Sequence, residues 1–220
     1  MKADWDFPGA EEEFKRAVEL NPNEPNTYAP YGEFLGCTLE RFDEGIALEN
    51  RALQLDSVSL ANHVSAANLF KCSRQYDLFI EEAKKILDLE PNNGHVYLGR
   101  GYLLKGLYEQ GLAEIRKGVD QRKNGSGTLG YACAVAGQRS EALRTVAELQ
   151  ALAERKYMSP FTIAIVYAGL EDKDRAFEWL GKAFVEHNDS LPEIKTDPSL
   201  DNLRSDPRFA DLLRRIGLTP

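Results

Sequence analysis

The chain has no apolar run of the roughly 18 residues that a membrane-spanning helix requires, and its acidic N-terminus lacks the pattern of a secretion signal. It has no surplus of positive charge either. Twenty-seven Lys and Arg stand against 35 Asp and Glu, a net charge of −8. The concentrated basic surface that nucleic acid or an anionic membrane demands is therefore not expected. β-branched residues never alternate over a useful length, so strand signals are missing. Only three cysteines occur, Cys37, Cys72 and Cys133. They are odd in number, far apart and without CxxC spacing, which predicts small buried apolar side chains in a reducing cytoplasm rather than a disulfide or metal framework. Histidines are as scarce, at three.

What is present is a repeat. A small residue recurs at Gly32, Ala67, Gly99, Gly130 and Ala164. Each is followed 12 or 13 residues later by a second position: Gly45, Phe79, Gly111, Ala142 and Ala176. The unit returns every 31 to 35 residues. That is the period of two amphipathic helices and one turn each, and it predicts a stacked helical array rather than a globular enzyme core. The pattern predicts an unpaired helix over 8–20. Helix pairs then follow at 27–39 with 41–55, 58–72 with 74–89, 93–105 with 108–122, 125–136 with 138–154, and 157–169 with 172–187. Asn21-Pro22-Asn23, Asp56-Ser57, Pro91-Asn92-Asn93-Gly94 and Asn124-Gly125 read as turns between them. Small residues at the crossing let antiparallel helices approach closely.

The residues that carry this register resemble the tetratricopeptide repeat family. They are Leu98-Gly99, Tyr102, Gly106, Tyr108 and Leu112, then Leu129-Gly130, Gly137 and Glu141-Ala142-Leu143, with a half-motif at Phe7, Ala10, Ala17, Leu20 and Pro22. The resemblance implies an all-α, right-handed superhelix spanning 1–220 as one domain: a half repeat at 6–22, five full repeats within 26–188 and a C-terminal cap at 191–218. Phe79, Gly111 and Gly118 depart from the usual alanines, and one extra residue lies near Leu39-Glu40, so local irregularity is expected there. Tyr157-Met158-Ser159-Pro160, Asp172 to Leu180 and Leu203 to Phe209 further resemble the closing segment of such arrays in bacterial multidomain signalling proteins. In the tail, Asp206 precedes Pro207 as an N-cap, and Phe209, Leu212, Leu213 and Ile216 share one face, which reads as the cover of the last repeat. Twelve residues before Ala10 falls ahead of Met1, so the opening helix of the first repeat is expected to be missing and helix 8–20 to pack on helix 27–39 alone.

Chemistry-bearing motifs are weak. Gly125 to Gly130 spells GxGxxG, but the dinucleotide fingerprint needs a strand before it and a helix precedes it here. His63 and His95 lie 32 residues apart with no third ligand in register, and read as polar-tipped packing residues. His187 stands alone near a helix end. No catalytic residue, cofactor or metal is assigned, and the chain is read as a non-enzyme. The resemblance makes the concave groove the working surface. Helical phase places Asn68, Lys71, Tyr97, Arg100, Leu104, Tyr131 and Phe161 there, with Asn68 and Arg100 as a polar ladder for a peptide backbone or carboxylate. The phases at which some relatives clamp a peptide carboxylate hold Val64, Val96 and Gly127 instead, which disfavours that mode. The expected partner is a protein or peptide, with no nucleic acid, no membrane and no cofactor. The alternatives are a homodimeric scaffold and, from another class, a nucleotide-binding enzyme using Gly125 to Gly130.

Overall fold

The computed structural model describes residues 5–120 and 127–219. It contains α1 (Phe7–Leu20), α2 (Pro25–Glu33) running into a π-helical stretch (Phe34–Thr38), α3 (Phe42–Leu55), α4 (Leu60–Cys72), α5 (Tyr76–Leu89), α6 (Pro91–Leu104), α7 (Tyr108–Asp120), α8 (Gly127–Val135), α9 (Arg139–Ala153), α10 (Pro160–Gly169) and α11 (Lys173–Val185). Two 3₁₀ segments, Leu191–Glu193 and Pro198–Leu203, lead to α12 (Pro207–Arg215). No strand occurs among the described residues. From α2 onward, successive helices pack as antiparallel pairs, and each pair stacks on the next with the incoming first helix set against the pair before it, as α6 is against α5. Pro91 to Gly94, read above as a turn, is the first turn of α6. Proline suits that position because the first helical N–H lacks a partner in any case.

The crossing residues bring backbones together. A Cβ placed on Gly99 would sit 2.6 Å from the Gly111 carbonyl oxygen, and one on Gly32 2.7 Å from that of Gly45. Only glycine permits these approaches. The second pair solves the same crossing differently. Phe79 is fully buried opposite Ala67, and its ring turns toward α6, where Gly101 makes room: a Cβ there would lie 3.0 Å from the ring. The ring also stacks on Tyr97, with centroids 6.2 Å apart.

Each first helix closes with the same turn. The N–H groups of Gln75, Leu107, Gln138 and Asp172 donate to the carbonyls of Phe70, Tyr102, Cys133 and Tyr167, five residues back. The residue before each donor is left-handed: Arg74, Gly106, Gly137 and Glu171. This is the Schellman closure. In the first pair Arg41 reaches Leu35, six residues back, after left-handed Glu40. The extra residue noticed in the sequence is absorbed as the π-helical stretch, the usual way a one-residue insertion enters a helix.

The array curls until its ends meet. The Trp5 ring lies 5.7 Å from that of Phe184 and 5.3 Å from that of His187, and Phe7 touches Gly217. Helix α1 therefore packs at both ends of the array and not on α2 alone. Phe14 meets α2 and the π-helical stretch through Tyr31 and Phe34, at 5.4 and 5.3 Å. Helix α12 is N-capped by Asp206, whose side chain accepts from the Arg208 N–H. It lies along α11, with Arg208 over Phe177 and paired to Asp174, and Arg215 over Phe184. Phe209, Leu212, Leu213 and Ile216 are buried in the main core.

Candidate functional site: a groove filled by its own chain

The segment between α11 and α12 does not stay at the end of the array. Residues 191–203, here termed the strap, cross the concave face back to the first two pairs. Pro192 and Pro198 keep it out of an α-helix and start its two 3₁₀ turns, the second capped by the Asp197 carboxylate, which accepts from the Ser199 N–H. Its contacts then run across the fold. The Thr196 hydroxyl donates to the Cys37 carbonyl at 2.6 Å. The Lys71 ammonium lies 3.3 Å from Asp197 and 4.0 Å from Glu193. Arg74 donates to Asp201 at 2.7 Å, and Lys195 pairs with Glu40 at 2.5 Å. The Asn202 amide donates to the Ala168 carbonyl of α10 at 2.7 Å. Leu191, Ile194, Leu200 and Leu203 are fully buried beneath it.

Lys71 and Asp197 are both buried, at 6% exposure each. Burial alone would raise the Asp197 carboxyl, but Lys71 and the Ser199 donors hold it below the usual range. Glu193 is pushed up to about 6, by burial first and then by the nearby carboxylates, against the pull of Lys71. Where strap and groove do not touch, a cavity of about 340 Å³ remains. Lys71, Arg100, Leu104 and Tyr131 line it, together with Tyr76 and Tyr108 on the groove side and Pro198, Ser199 and Asp201 from the strap. Burial raises the Tyr131 phenol to about 12. Arg100 is half-buried on this wall. Its guanidinium lies 5.4 Å from the Tyr97 ring centroid and has no carboxylate in ion-pair range among the described residues.

Four of the seven groove residues named from the sequence, Lys71, Arg100, Leu104 and Tyr131, thus meet at one cavity. The other three stand elsewhere. The Asn68 amide donates to Glu33 on the neighbouring pair at 2.9 Å, Tyr97 stacks on Phe79, and Phe161 is buried in the core. Asn68 and Arg100 therefore form no ladder. Tyr76, Tyr108 and the strap residues were missed, and the repeat pattern carries no signal for the strap.

The cysteine reading needs correction. Cys37 and Cys72 form a disulfide, with Cα atoms 5.4 Å apart, and Glu193 of the strap lies beside them. Their separation of 35 residues is one repeat, so the fold sets them at matching ends of adjacent first helices. That spacing was the available signal. The pair also removes the cysteine argument for a reducing compartment. Cys133 is a free, buried thiol. His63 and His95 each have a carboxylate in register: His63 Nδ1 meets Glu82 at 2.6 Å and His95 Nδ1 meets Glu114 at 2.7 Å. These are structural pairs within one repeat. Gly125 and Ser126 of the GxGxxG run lie outside the described residues, and helix α7 precedes them. Gly130 faces Val166 and Thr145 at packing distance.

The fold is an all-α array of stacked helix pairs. No protein-family model and no curated protein matches the chain. Among solved structures it is similar to YrrB, described as a TPR protein with an unusual peptide-binding site, at 21% identity over 84% of this chain and 97% of that one, with a TM-score of 0.47. It is also similar to a chain of the Naa15/Naa10 complex bound to HypK-THB, at 18% identity over 94% of this chain, with a TM-score of 0.44. The present chain spans 33% of that protein. No helix among the described residues is long and apolar enough to cross a membrane.

Proposed function

We propose that this protein is a non-catalytic module that binds a protein or peptide segment in its concave groove, as the regulatory or scaffolding part of a larger bacterial signalling assembly. One observation carries the reading. The groove already holds a peptide segment, the strap, through the Lys71 and Arg74 side chains at the end of α4 and the backbone carbonyls of Cys37 and Ala168. A surface that seats a peptide in cis has the shape and donors to seat one in trans. The signalling context rests on the resemblance of the C-terminal segments to arrays of that kind.

A photo-crosslinking residue at Leu104, on the cavity wall, should capture partner proteins in a lysate of the source cell. The same probe at exposed Glu12 on α1 should not. Capture at Glu12 with none at Leu104 would move the binding face to the outer surface and defeat this reading.

A further inference from the structure

The strap describes, in its own sequence, what the groove recognises. Its charged contacts fall at Glu193, Lys195, Asp197 and Asp201, which makes a carboxylate at every fourth residue with a lysine between the first two. Each meets an opposite charge. Glu193 and Asp197 flank Lys71, Lys195 meets Glu40, and Asp201 meets Arg74. The apolar residues between them, Ile194 and Leu200, point into the core.

The groove side carries an independent mark of purpose. Glu40 and Arg74 occupy the left-handed turn positions, at φ 59° and 62°. The equivalent positions of the third and fourth pairs are Gly106 and Gly137, the residue type that this backbone favours. In the first two pairs the strain of a non-glycine residue is kept, and in both the side chain it supplies reaches a strap charge. Glu171 shares the conformation and lines the cleft beside Asn202.

We infer that the strap is a displaceable occupant, and that the groove takes in trans a short segment of the same chemistry: carboxylates at four-residue spacing, an intervening lysine and buried aliphatic residues. This rests on the groove-binding reading above and names the class of partner. While the strap is seated, Lys71, Glu40 and Arg74 are engaged, so a partner must compete for them.

The test uses the full chain with Glu193→Lys and Asp201→Lys, which reverses the two more exposed strap anchors and leaves buried Asp197 intact. A fluorescent peptide of residues 189–205 is titrated and followed by anisotropy, and amide exchange over 191–203 reports whether the strap has lifted. The peptide should bind the variant at least about tenfold more tightly than it binds the wild-type chain. Adding Lys71→Ala and Arg74→Ala to the variant should abolish that binding. If the reversed variant does not fold, Glu193→Gln with Asp201→Asn gives the same comparison with a smaller gain. Equal binding of a peptide whose Glu193, Lys195, Asp197 and Asp201 are replaced by serine would overturn the recognition class and leave groove binding standing. A lifted strap with no peptide bound would overturn the groove reading itself. A strap still protected after charge reversal would show that these ion pairs do not hold it. Dimer formation with no change in peptide affinity would mean exchange of straps between copies, and would also overturn the proposal.

Discussion

The first and second helix pairs occupy the same register and share almost none of the means. At the crossing, Gly32 meets Gly45 backbone to backbone, whereas Ala67 faces Phe79 and the ring is housed by the next pair. On the second helix each of these pairs buries a carboxylate, Glu49 four residues after its crossing position and Glu82 three residues after its own. Glu82 finds His63, nineteen residues before it, and Lys85. At the position of His63 the first pair has Tyr28, whose hydroxyl donates to the Pro22 carbonyl. Glu49 turns instead to the Ser65 hydroxyl of the second pair, and its other oxygen has no hydrogen-bond partner among the described residues. The carboxyl is accordingly raised to about 8, chiefly by burial. The difference teaches that the repeat fixes the packing of its helices and not the partners of the polar groups buried between them. Stability is then set by whether each local substitution found its own compensation.

Phe79→Ala breaks the second pair's solution outright. It leaves a cavity against Gly101 and Tyr97 that neither can fill, and should cost about 3–5 kcal/mol in chemical denaturation. A loss below about 1 kcal/mol would mean that the neighbouring pairs close the gap. Glu49→Gln sharpens the contrast through pH. A carboxyl whose folded pKa is raised binds its proton more tightly when folded, so its contribution is present at low pH and is lost as pH climbs from about 4.5 to about 8. Between pH 5 and pH 8 the wild type should therefore lose about 2–4 kcal/mol relative to Glu49→Gln, measured by urea melts at both pH values. Parallel pH profiles would show that Glu49 is solvated or partnered in solution.

His63→Ala would convert the second pair toward the state of the first, with Glu82 left to Lys85 alone. Removing one partner of a buried hydrogen-bonded pair should cost about 1–3 kcal/mol at neutral pH. The same change at half-buried His95 should cost less. Equal losses at both sites would mean that burial does not set the value of these pairs.

The array was legible because local rules and repeat rules agree. Small residues at the crossings, glycine at two of the four turns that close five-residue loops, and proline near helix starts each mark the register. The helices fall within a few residues of where periodicity puts them. Even the insertion near Leu39-Glu40 was visible as a crossing interval of 13 rather than 12. Two features were not read correctly. The Cys37–Cys72 bond was encoded in a spacing of one repeat, but cysteine counting takes no account of the repeat. The strap has two prolines and no helical period, so its segment merged with the cap at 191–218. Its decisive contact, Lys71 to Asp197, joins residues 126 apart, and no local pattern specifies such a partner. That is why the groove residues were partly recognised while their occupant was not.

The smallest expected effect is also the most discriminating. Glu40→Gly and Arg74→Gly each relieve a left-handed backbone, worth roughly 1 kcal/mol, and each remove a half-exposed ion pair to the strap, worth roughly 0.2–1 kcal/mol. Global stability should therefore rise slightly or stay level, by less than about 1 kcal/mol. Local behaviour should move the other way. Amides of residues 191–203 lose a tether to the first or second pair, and their exchange should quicken in both variants while that of α6 and α7 does not. Glu171→Gly is the matched control: it relieves the same conformation, φ 60°, where the side chain makes no ion pair to the strap among the described residues, and it should leave strap exchange unchanged. If all three variants gain stability alike and strap exchange is indifferent to each, Glu40 and Arg74 are incidental occupants of a strained turn. If only Glu40→Gly and Arg74→Gly free the strap, the first two pairs hold non-glycine residues in that turn because of what their side chains reach.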